Sequence, residues 1–290
     1  MKNFIYKLIL TLSITFFLQP LFSQGLPASY DARVLNIVTP VKNQSPYGSC
    51  WSFSNLAACE TNFLLQAYKA KEINNSLNII TPDYSERYLN WMAYANPLSE
   101  NNSTKPYLDM NTEFATNNPA TVYNKGGFDA FAAAFFHKGI GLVNESEAPY
   151  SNSYETIMEG ISETIPAAIT VTDSYNCDYY SSEFTHIQGE QKDRIKQLLL
   201  ETGALSVGVY AEESWDDPNN YEYNFKENVG TNHAVLLVGW DDNYTFQTLT
   251  GDNAPAGPGA WIIKNSWSTA WGEDGYCYVS YEDQAIESGV

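Results

Sequence analysis

Helix-forming and strand-forming segments are separated along this 290-residue chain, and that separation limits the folds it can adopt. Helical patterns in the first half cover residues 51–70, 81–91 and 125–139. The second half is dominated by apolar, β-branched runs, at residues 169–172, 204–210, 234–240 and 260–264. One further helical pattern, at 191–200, lies between these runs. Because helices and strands do not alternate regularly, the sequence predicts an α+β fold.

The first 23 residues have the pattern of an export signal. Lys2 and Lys7 precede an apolar run, and Ser23 offers a small residue for cleavage. The run is short and is interrupted by Pro20, so a cleaved signal is favoured over a membrane anchor. No later segment has the length and apolar character of a membrane span. We therefore expect an exported protein (secreted, periplasmic or at the cell surface) with no stable membrane span.

Charge and cysteine content limit the partners, disulfides and cofactors that the sequence predicts. Acidic residues outnumber basic ones by 34 to 15, which argues against nucleic acid and anionic membranes as partners. The cysteines are Cys50, Cys59, Cys177 and Cys277. Cys59 is expected to be a buried thiol, whereas a disulfide between Cys177 and Cys277 is left open. No Cys/His cluster has metal-site spacing, so we expect neither a metal nor a cofactor.

Four residues stand in contexts that suit acyl-transfer chemistry. Gln44 and Cys50 lie in the segment QSPYGSCWSF, while His233 opens an apolar run and Asn265 lies in KNSW. A thiol nucleophile needs a base, which an imidazole can supply, and a neutral amide can orient that ring. A side-chain amide and a backbone N–H can receive an oxyanion. Because Cys50 begins a predicted helix, the helix dipole would favour its thiolate.

In this order, the four contexts resemble those of the papain family of cysteine peptidases, which includes the cathepsins. The resemblance implies Cys50 as nucleophile, His233 as base, Asn265 as the residue that orients the base, and Gln44 as oxyanion donor. The other histidines fit less well, because one ends a helix and the other lies in a polar segment. These are His137 and His186.

The resemblance also implies a papain-like two-lobe architecture. A helical N-terminal lobe, residues 24–165, would carry the nucleophile. A β-barrel-like C-terminal lobe, residues 166–290, would carry the histidine and asparagine, with the active-site cleft between the lobes.

Substrate-binding and supporting residues follow from the same resemblance. Gly126 and Gly127 would allow an extended substrate to pair with the backbone, although a plain helix-entry turn explains them as well. Trp51 and Trp267 would support the site, with Trp267 shielding the histidine–asparagine hydrogen bond from water. The remaining candidate substrate-binding residues are Leu205, Val207, Val209 and Asn232. The three apolar ones would line the pocket for the second residue before the cleaved bond, or belong to the lobe core.

The chain also departs from the family pattern. Tyr47 stands where a second cysteine is usual. A segment like the start of the mature enzyme begins at Leu26, soon after the predicted export signal, so we expect the usual pro-segment to be missing. The chain stops soon after Tyr281, so a longer parent with a further C-terminal binding domain stays open.

We expect an exported, bacterial-type cysteine peptidase that acts on peptides or proteins through a thioester acyl-enzyme. Two alternatives use the same fold. One is a non-catalytic peptide- or glycan-binding protein, and the other is an acyl transferase of the transpeptidase or transglutaminase type.

Overall fold

The structure, a computed structural model, describes residues 25–94, 122–137, 139–157, 161, 165–172, 190–227 and 229–286. The predicted export signal, Cys177 and His186 lie outside these residues. Within them, no helix combines the length and the apolar character that crossing a bilayer requires. The α+β fold class predicted from the sequence is confirmed.

Helices dominate the first half of the described chain. They are α1 (Cys50–Ile73), α2 (Glu86–Tyr94), α3 (Asp129–His137), the short α4 (Tyr154–Ile157) and, later in the chain, α5 (Glu190–Thr202). The longest, α1, has 24 residues and is about 36 Å long. The helix α3 ends just before Gly139, whose φ of 68° lies in the left-handed region typical of helix C-termini. Three short 3-10 helices cover Glu145–Glu147, Glu213–Asp216 and Gly251–Asn253.

A six-stranded sheet forms most of the second half. Its strands are β1 (Ser29–Asp31), β2 (Leu205–Val209), β3 (Glu222–Tyr223), β4 (His233–Asp241), β5 (Ala260–Lys264) and β6 (Tyr276–Ser280). The central strand β4 pairs antiparallel with β5 along most of its length. On its other side, β4 pairs with β2 near its beginning and with β1 near its end. The strand β6 joins β5 to the two-residue strand β3.

The helix α1 separates the helical core from the sheet. Its Trp51 is fully buried in a helical core that also contains Phe135 of α3. Ala57, farther along the same helix, packs in a second core against Leu236 of β4. A third core covers the opposite face of the sheet and includes Trp261. Because α1 is buried on both sides, its N-terminus lies at the junction between the helices and the sheet.

Two details differ from the sequence-based expectations. The strand predicted at residues 169–172 is wrong, because only Ile169 forms an isolated bridge, with Leu142. β-Branched residues favour strands, but a strand also needs a neighbouring strand to pair with. Here only one residue, Leu142, pairs with this segment, which is too little for a strand. In addition, β1 lies in the segment expected to belong to the helical lobe, yet it pairs with β4 of the sheet.

Candidate active site

Cys50 is the first residue of α1, and its thiol lies beside the beginning of β4. Burial raises the pKa of the Cys50 thiol, the backbone N–H groups of Ala234 and Trp51 lower it, and the charge of Asp129 raises it further. The net effect is a thiol that stays protonated until a base removes its proton.

His233 and Asn265 meet through a direct hydrogen bond. His233 is the first residue of β4, and Asn265 follows the last residue of β5, the strand paired with β4. The His233 Nε2 lies 2.8 Å from the Asn265 Oδ1. The backbone N–H of Ser266 also donates to this Oδ1, at 2.7 Å, which identifies it as the carbonyl oxygen of the amide.

This arrangement fixes the tautomer of the neutral imidazole. An amide oxygen only accepts hydrogen bonds, so Nε2 must carry the proton and Nδ1 keeps its lone pair. Burial lowers the pKa of His233 to about 4, against the smaller opposing effect of the hydrogen bond to Asn265. The ring is therefore neutral near pH 7 and can accept a proton at Nδ1.

Aromatic side chains cover His233. The Trp267 ring lies 4.7 Å from the imidazole, centroid to centroid, and Trp215 approaches edge-on at 6.3 Å. Trp271 stacks on Trp215, and its Nε1 donates to the Trp215 carbonyl oxygen at 2.7 Å. These rings keep His233 only 8% exposed. The sequence indicated Trp267 but not Trp215, whose position on a short 3-10 helix carries no local signal.

The side-chain amide of Gln44 is held in one orientation. Its Oε1 accepts a hydrogen bond from the Ser266 hydroxyl at 2.6 Å, and its Nε2 donates to the Tyr47 carbonyl oxygen at 2.9 Å. The Gln44 backbone N–H donates to the Ser266 carbonyl oxygen at 2.8 Å. Ser266 directly follows Asn265, so one turn after β5 positions both amides.

Tyr150 ties the Gln44 segment to the residue that precedes the cysteine. Its hydroxyl donates to the Gln44 carbonyl oxygen at 2.7 Å and lies 2.7 Å from the Ser49 hydroxyl. Tyr47 packs against the rings of Tyr150 and Tyr123. In this chain, aromatic packing and hydrogen bonds therefore hold the segment around Tyr47. Sequence reasoning missed Ser266 and Tyr150, since a lone serine or tyrosine carries no distinctive pattern.

The glycine pair borders the buried Trp51. A Cβ on Gly127 would lie 2.5 Å from the Trp51 ring, so only glycine fits without a shift. Gly126 has a φ of 72°, which favours glycine, and its carbonyl oxygen accepts the Tyr94 hydroxyl at 2.6 Å. The structure thus brings Gly126 and Gly127 close to the residue that follows Cys50.

The remaining candidate substrate-binding residues lie elsewhere. Leu205, Val207 and Val209 are at most 3% exposed and belong to the core on the far side of the sheet. Alternation along β2 directs them into the lobe core, which was the second interpretation of their pattern. The side chain of the exposed Asn232 makes two hydrogen bonds with the backbone of Ala211. Its Oδ1 accepts from the Ala211 N–H at 2.7 Å, and its Nδ2 donates to the Ala211 carbonyl oxygen at 3.1 Å.

The other thiols and His137 lie apart from this group. Cys59 and Cys277 are free cysteines, and burial raises the pKa of Cys59 to about 12. His137 is the exposed last residue of α3. No group of three or more His, Cys, Asp or Glu residues within the described ranges could hold a metal ion.

Buried charges lie beneath the site. Lys42 Nζ contacts the carboxylates of Glu86 at 2.8 Å and Glu60 at 3.4 Å. Lys264, which precedes Asn265, donates to the Thr39 carbonyl oxygen at 2.8 Å, and burial lowers its pKa to about 8. The cluster joins α1, α2 and the end of β5, so it fixes the relative positions of the elements that carry the site.

Comparisons with known proteins identify relatives of this chain. A sequence model described as papain family cysteine protease matches residues 26–80 and 108–289. Cysteine proteinase 1 of Dictyostelium discoideum is 26% identical over 269 residues, covering 92% of this chain and 65% of the relative. The viral cathepsin of Cydia pomonella granulosis virus is 29% identical over 255 residues, covering 87% of this chain and 56% of the relative.

Among solved structures, the clostridial cysteine protease Cwp84 after propeptide cleavage has a TM-score of 0.66 at 24% identity. The match covers 90% of this chain and 56% of that one, and it supports the fold. The matched part of the chain thus covers between 56% and 65% of the length of each of these three proteins.

Proposed function

Because the chain belongs to the papain family of cysteine proteases, we propose that it hydrolyses peptide bonds with Cys50, His233 and Asn265. The observation that carries the proposal is the 2.8 Å hydrogen bond between His233 and Asn265. It lies next to Ala234, whose backbone N–H lowers the pKa of the Cys50 thiol. These two observations support a nucleophile, a base and an orienting residue that act together where α1, β4 and β5 converge.

The first step is attack of the thiol on the peptide carbonyl carbon. His233 accepts the thiol proton at Nδ1, while Asn265 holds the ring through Nε2. Burial disfavours each charge alone, but a thiolate and an imidazolium in close contact stabilise each other. The S–C bond forms as the C–N bond breaks, and the imidazolium transfers its proton to the leaving amine.

The second step releases the acyl group. His233, neutral again, removes a proton from water, and the resulting hydroxide attacks the thioester carbonyl carbon. The C–S bond breaks, and the thiolate regains a proton from the imidazolium. The product is a peptide with a free carboxylate, and Cys50 returns to its initial state.

Both steps place negative charge on the carbonyl oxygen of the substrate. We assign Gln44 Nε2 and the Cys50 backbone N–H as its hydrogen-bond donors. The Ser266 hydroxyl holds Gln44 Oε1, so the amide presents its nitrogen without reorganising. Donors that are oriented in advance stabilise the developing charge more than mobile ones do.

Substrate pairing, lobe organisation and export complete the proposal. An extended peptide would pair with the backbone at Gly126 and Gly127, close to the fully buried Trp51. Residues 24–165 would form the lobe of the nucleophile, with β1 added to the sheet of the second lobe, 166–290. The leader pattern at residues 1–23 supports export.

Active-site labelling tests the proposal. The purified protein is treated with a peptidyl epoxide, which alkylates activated thiols, and the intact mass is measured beside hydrolysis of a mixed peptide pool. We expect one adduct and hydrolysis in the parent, and neither in Cys50→Ala. The matched control Cys59→Ala removes a partly buried thiol that packs against the helical core, and it should retain both.

Three results would overturn the proposal. They are hydrolysis by Cys50→Ala, a folded parent with no adduct and no hydrolysis, and transfer of acyl groups to an added amine in preference to water. The second result would favour a binding protein, and the third would favour an acyl transferase.

A further inference from the structure

The two proposed oxyanion donors belong to separate segments of the chain. Gln44 lies in the loop before α1, whereas the Cys50 backbone N–H lies at the first residue of α1. Two donors can share one oxyanion only if their separation is fixed, because a hydrogen bond weakens steeply when its distance or angle is poor. The contacts that hold this loop against α1 therefore bear on catalysis.

Tyr150 connects the loop to the residue before α1 with a single hydroxyl. Its oxygen lies 2.7 Å from the Gln44 carbonyl oxygen and 2.7 Å from the Ser49 hydroxyl. A phenol has one hydrogen, and Tyr150 donates it to the Gln44 carbonyl oxygen, which only accepts. Ser49 must then donate to Tyr150. The hydrogen bonds therefore run in one direction, from Ser49 through Tyr150 to Gln44.

The main chain and the side chain of Gln44 are coupled through Tyr47. The Gln44 carbonyl oxygen accepts from the Tyr47 N–H at 3.1 Å, and the Gln44 Nε2 donates to the Tyr47 carbonyl oxygen at 2.9 Å. One Nε2 hydrogen is used in this contact, and the second remains for a substrate oxygen. Because the two groups share one turn, a displacement of the Gln44 carbonyl also displaces its side-chain amide.

The Tyr150 ring packs against both segments that its hydroxyl joins. Phe53, one turn after the start of α1, meets the ring edge-on at a centroid distance of 4.9 Å. Tyr47, in the loop, meets it edge-on at 6.2 Å. Burial raises the pKa of Tyr150, so the hydroxyl keeps its proton at neutral pH and remains a donor. The ring is thus held where its hydroxyl reaches both partners.

Ser49 uses its hydroxyl for this contact and not for capping. A serine at the N-cap commonly accepts a hydrogen bond from an N–H group in the first turn of the helix. Ser49 occupies the N-cap position of α1, but its side chain makes no capping hydrogen bond. Its hydroxyl contacts Tyr150 instead. The residue next to Cys50 is therefore anchored to Tyr150.

We propose that Tyr150 is a positioning residue of the oxyanion site. Through Ser49 and the Gln44 carbonyl, it fixes the loop against the start of α1 and so sets the separation of the two donors. The inference rests on the proposed peptidase function and adds a residue to it. Without the hydroxyl, the loop shifts relative to α1, and the charge that develops on the substrate oxygen is stabilised less.

Kinetics of Tyr150→Phe test this role, because the variant removes the hydroxyl and keeps the ring. We expect kcat/KM for a peptide to fall about tenfold, with little change in KM. The inhibition constant of a peptide aldehyde, which forms a tetrahedral adduct with the thiol, should rise by a similar factor. Tyr30→Phe is the matched control, since its hydroxyl also donates to a backbone carbonyl, that of Gly203 at 3.0 Å. It should keep the parent values.

A double-variant cycle separates positioning from general loosening of the fold. In Gln44→Ala the amide that Tyr150 positions is absent, so adding Tyr150→Phe should lower kcat/KM by no more than about threefold. Ser49→Ala should resemble Tyr150→Phe, and the two should combine non-additively, because both break the same chain of hydrogen bonds. Circular dichroism checks that each variant is folded. Equal losses from Tyr150→Phe in the parent and in Gln44→Ala would overturn the inference.

NMR distinguishes failure of this inference from failure of the proposed function. In the Cys50→Ala background, the side-chain amide protons of Gln44 are assigned by their loss in Gln44→Ala, and their exchange with solvent is measured. Tyr150→Phe should speed this exchange several-fold, whereas Tyr30→Phe should not. Faster exchange supports the positioning role even where no peptide is hydrolysed. Unchanged exchange contradicts it, even in an active enzyme.

Discussion

Protonation of His233 should destabilise the folded protein, because the ring is buried beneath tryptophans and accepts charge poorly. Burial lowers its pKa from 6.5 to about 4. In the unfolded chain the ring is in water and binds a proton near pH 6.5. Between these values the unfolded state binds more protons than the folded state, so stability falls as the pH is lowered.

The pKa difference sets the size of the effect. At about 1.4 kcal/mol per pKa unit, the fully developed loss is roughly 3 kcal/mol. Above about pH 6.5 the ring is neutral in both states and contributes no loss, and below about pH 4 the loss is complete. Roughly 2 kcal/mol of the unfolding free energy should disappear between about pH 7 and about pH 4.5.

Urea unfolding measures this loss. The Cys50→Ala background prevents self-cleavage, and His233→Gln is added to it to remove the titrating group. Between the two pH values, the background should lose roughly 2 kcal/mol more than the double variant. His137→Gln, at the exposed end of α3, should follow the background. Equal losses with and without His233 would refute the reasoning, because they would show that the ring is not protected from protonation.

Three further predictions concern groups around the site. Ser266→Ala removes the hydrogen bond that orients Gln44 Oε1, so kcat/KM on a peptide should fall about tenfold. The loss in Gln44→Ala should be larger, about 10²- to 10³-fold. An unchanged kcat/KM in Ser266→Ala would contradict the orienting role of Ser266. Tyr150→Phe leaves two buried oxygens without their partner, and urea unfolding should show about 2 kcal/mol less stability. Gly127→Ala forces a Cβ against the Trp51 ring and should cost about 1–3 kcal/mol in the same assay, whereas a neutral result would mean that the ring can move.

Local chemistry made much of the site recognisable in advance. The immediate neighbours of Gln44, Cys50, His233 and Asn265 predicted a shared site for these residues, and the structure joins His233 and Asn265 by a direct hydrogen bond. The start of α1 at Cys50 was also predictable, because a run of helix formers follows a glycine and a serine. These features depend on residues that are close together in the chain, and sequence patterns are most informative over such short separations.

It was harder to predict from the sequence what the apolar face of β2 contacts. Leu205, Val207 and Val209 have the pattern of a strand with one apolar face, but the pattern does not say what that face contacts. The sheet directs them into the lobe core, while Ser206 on the opposite face reaches Ser54 and Asp129. Which face of a strand borders a cleft depends on its partners, and β2 is 24 residues before β4 in the chain.

The sequence by itself determined the α+β class and the family, and it predicted which groups react, because local propensity and short motifs carry this information. Only the tertiary structure decided how those groups are held. Ser266 orients Gln44 from 222 residues away, and Tyr150 reaches the same segment from 106 residues away. Such contacts form only when distant segments pack together, and they leave no periodic trace in the sequence.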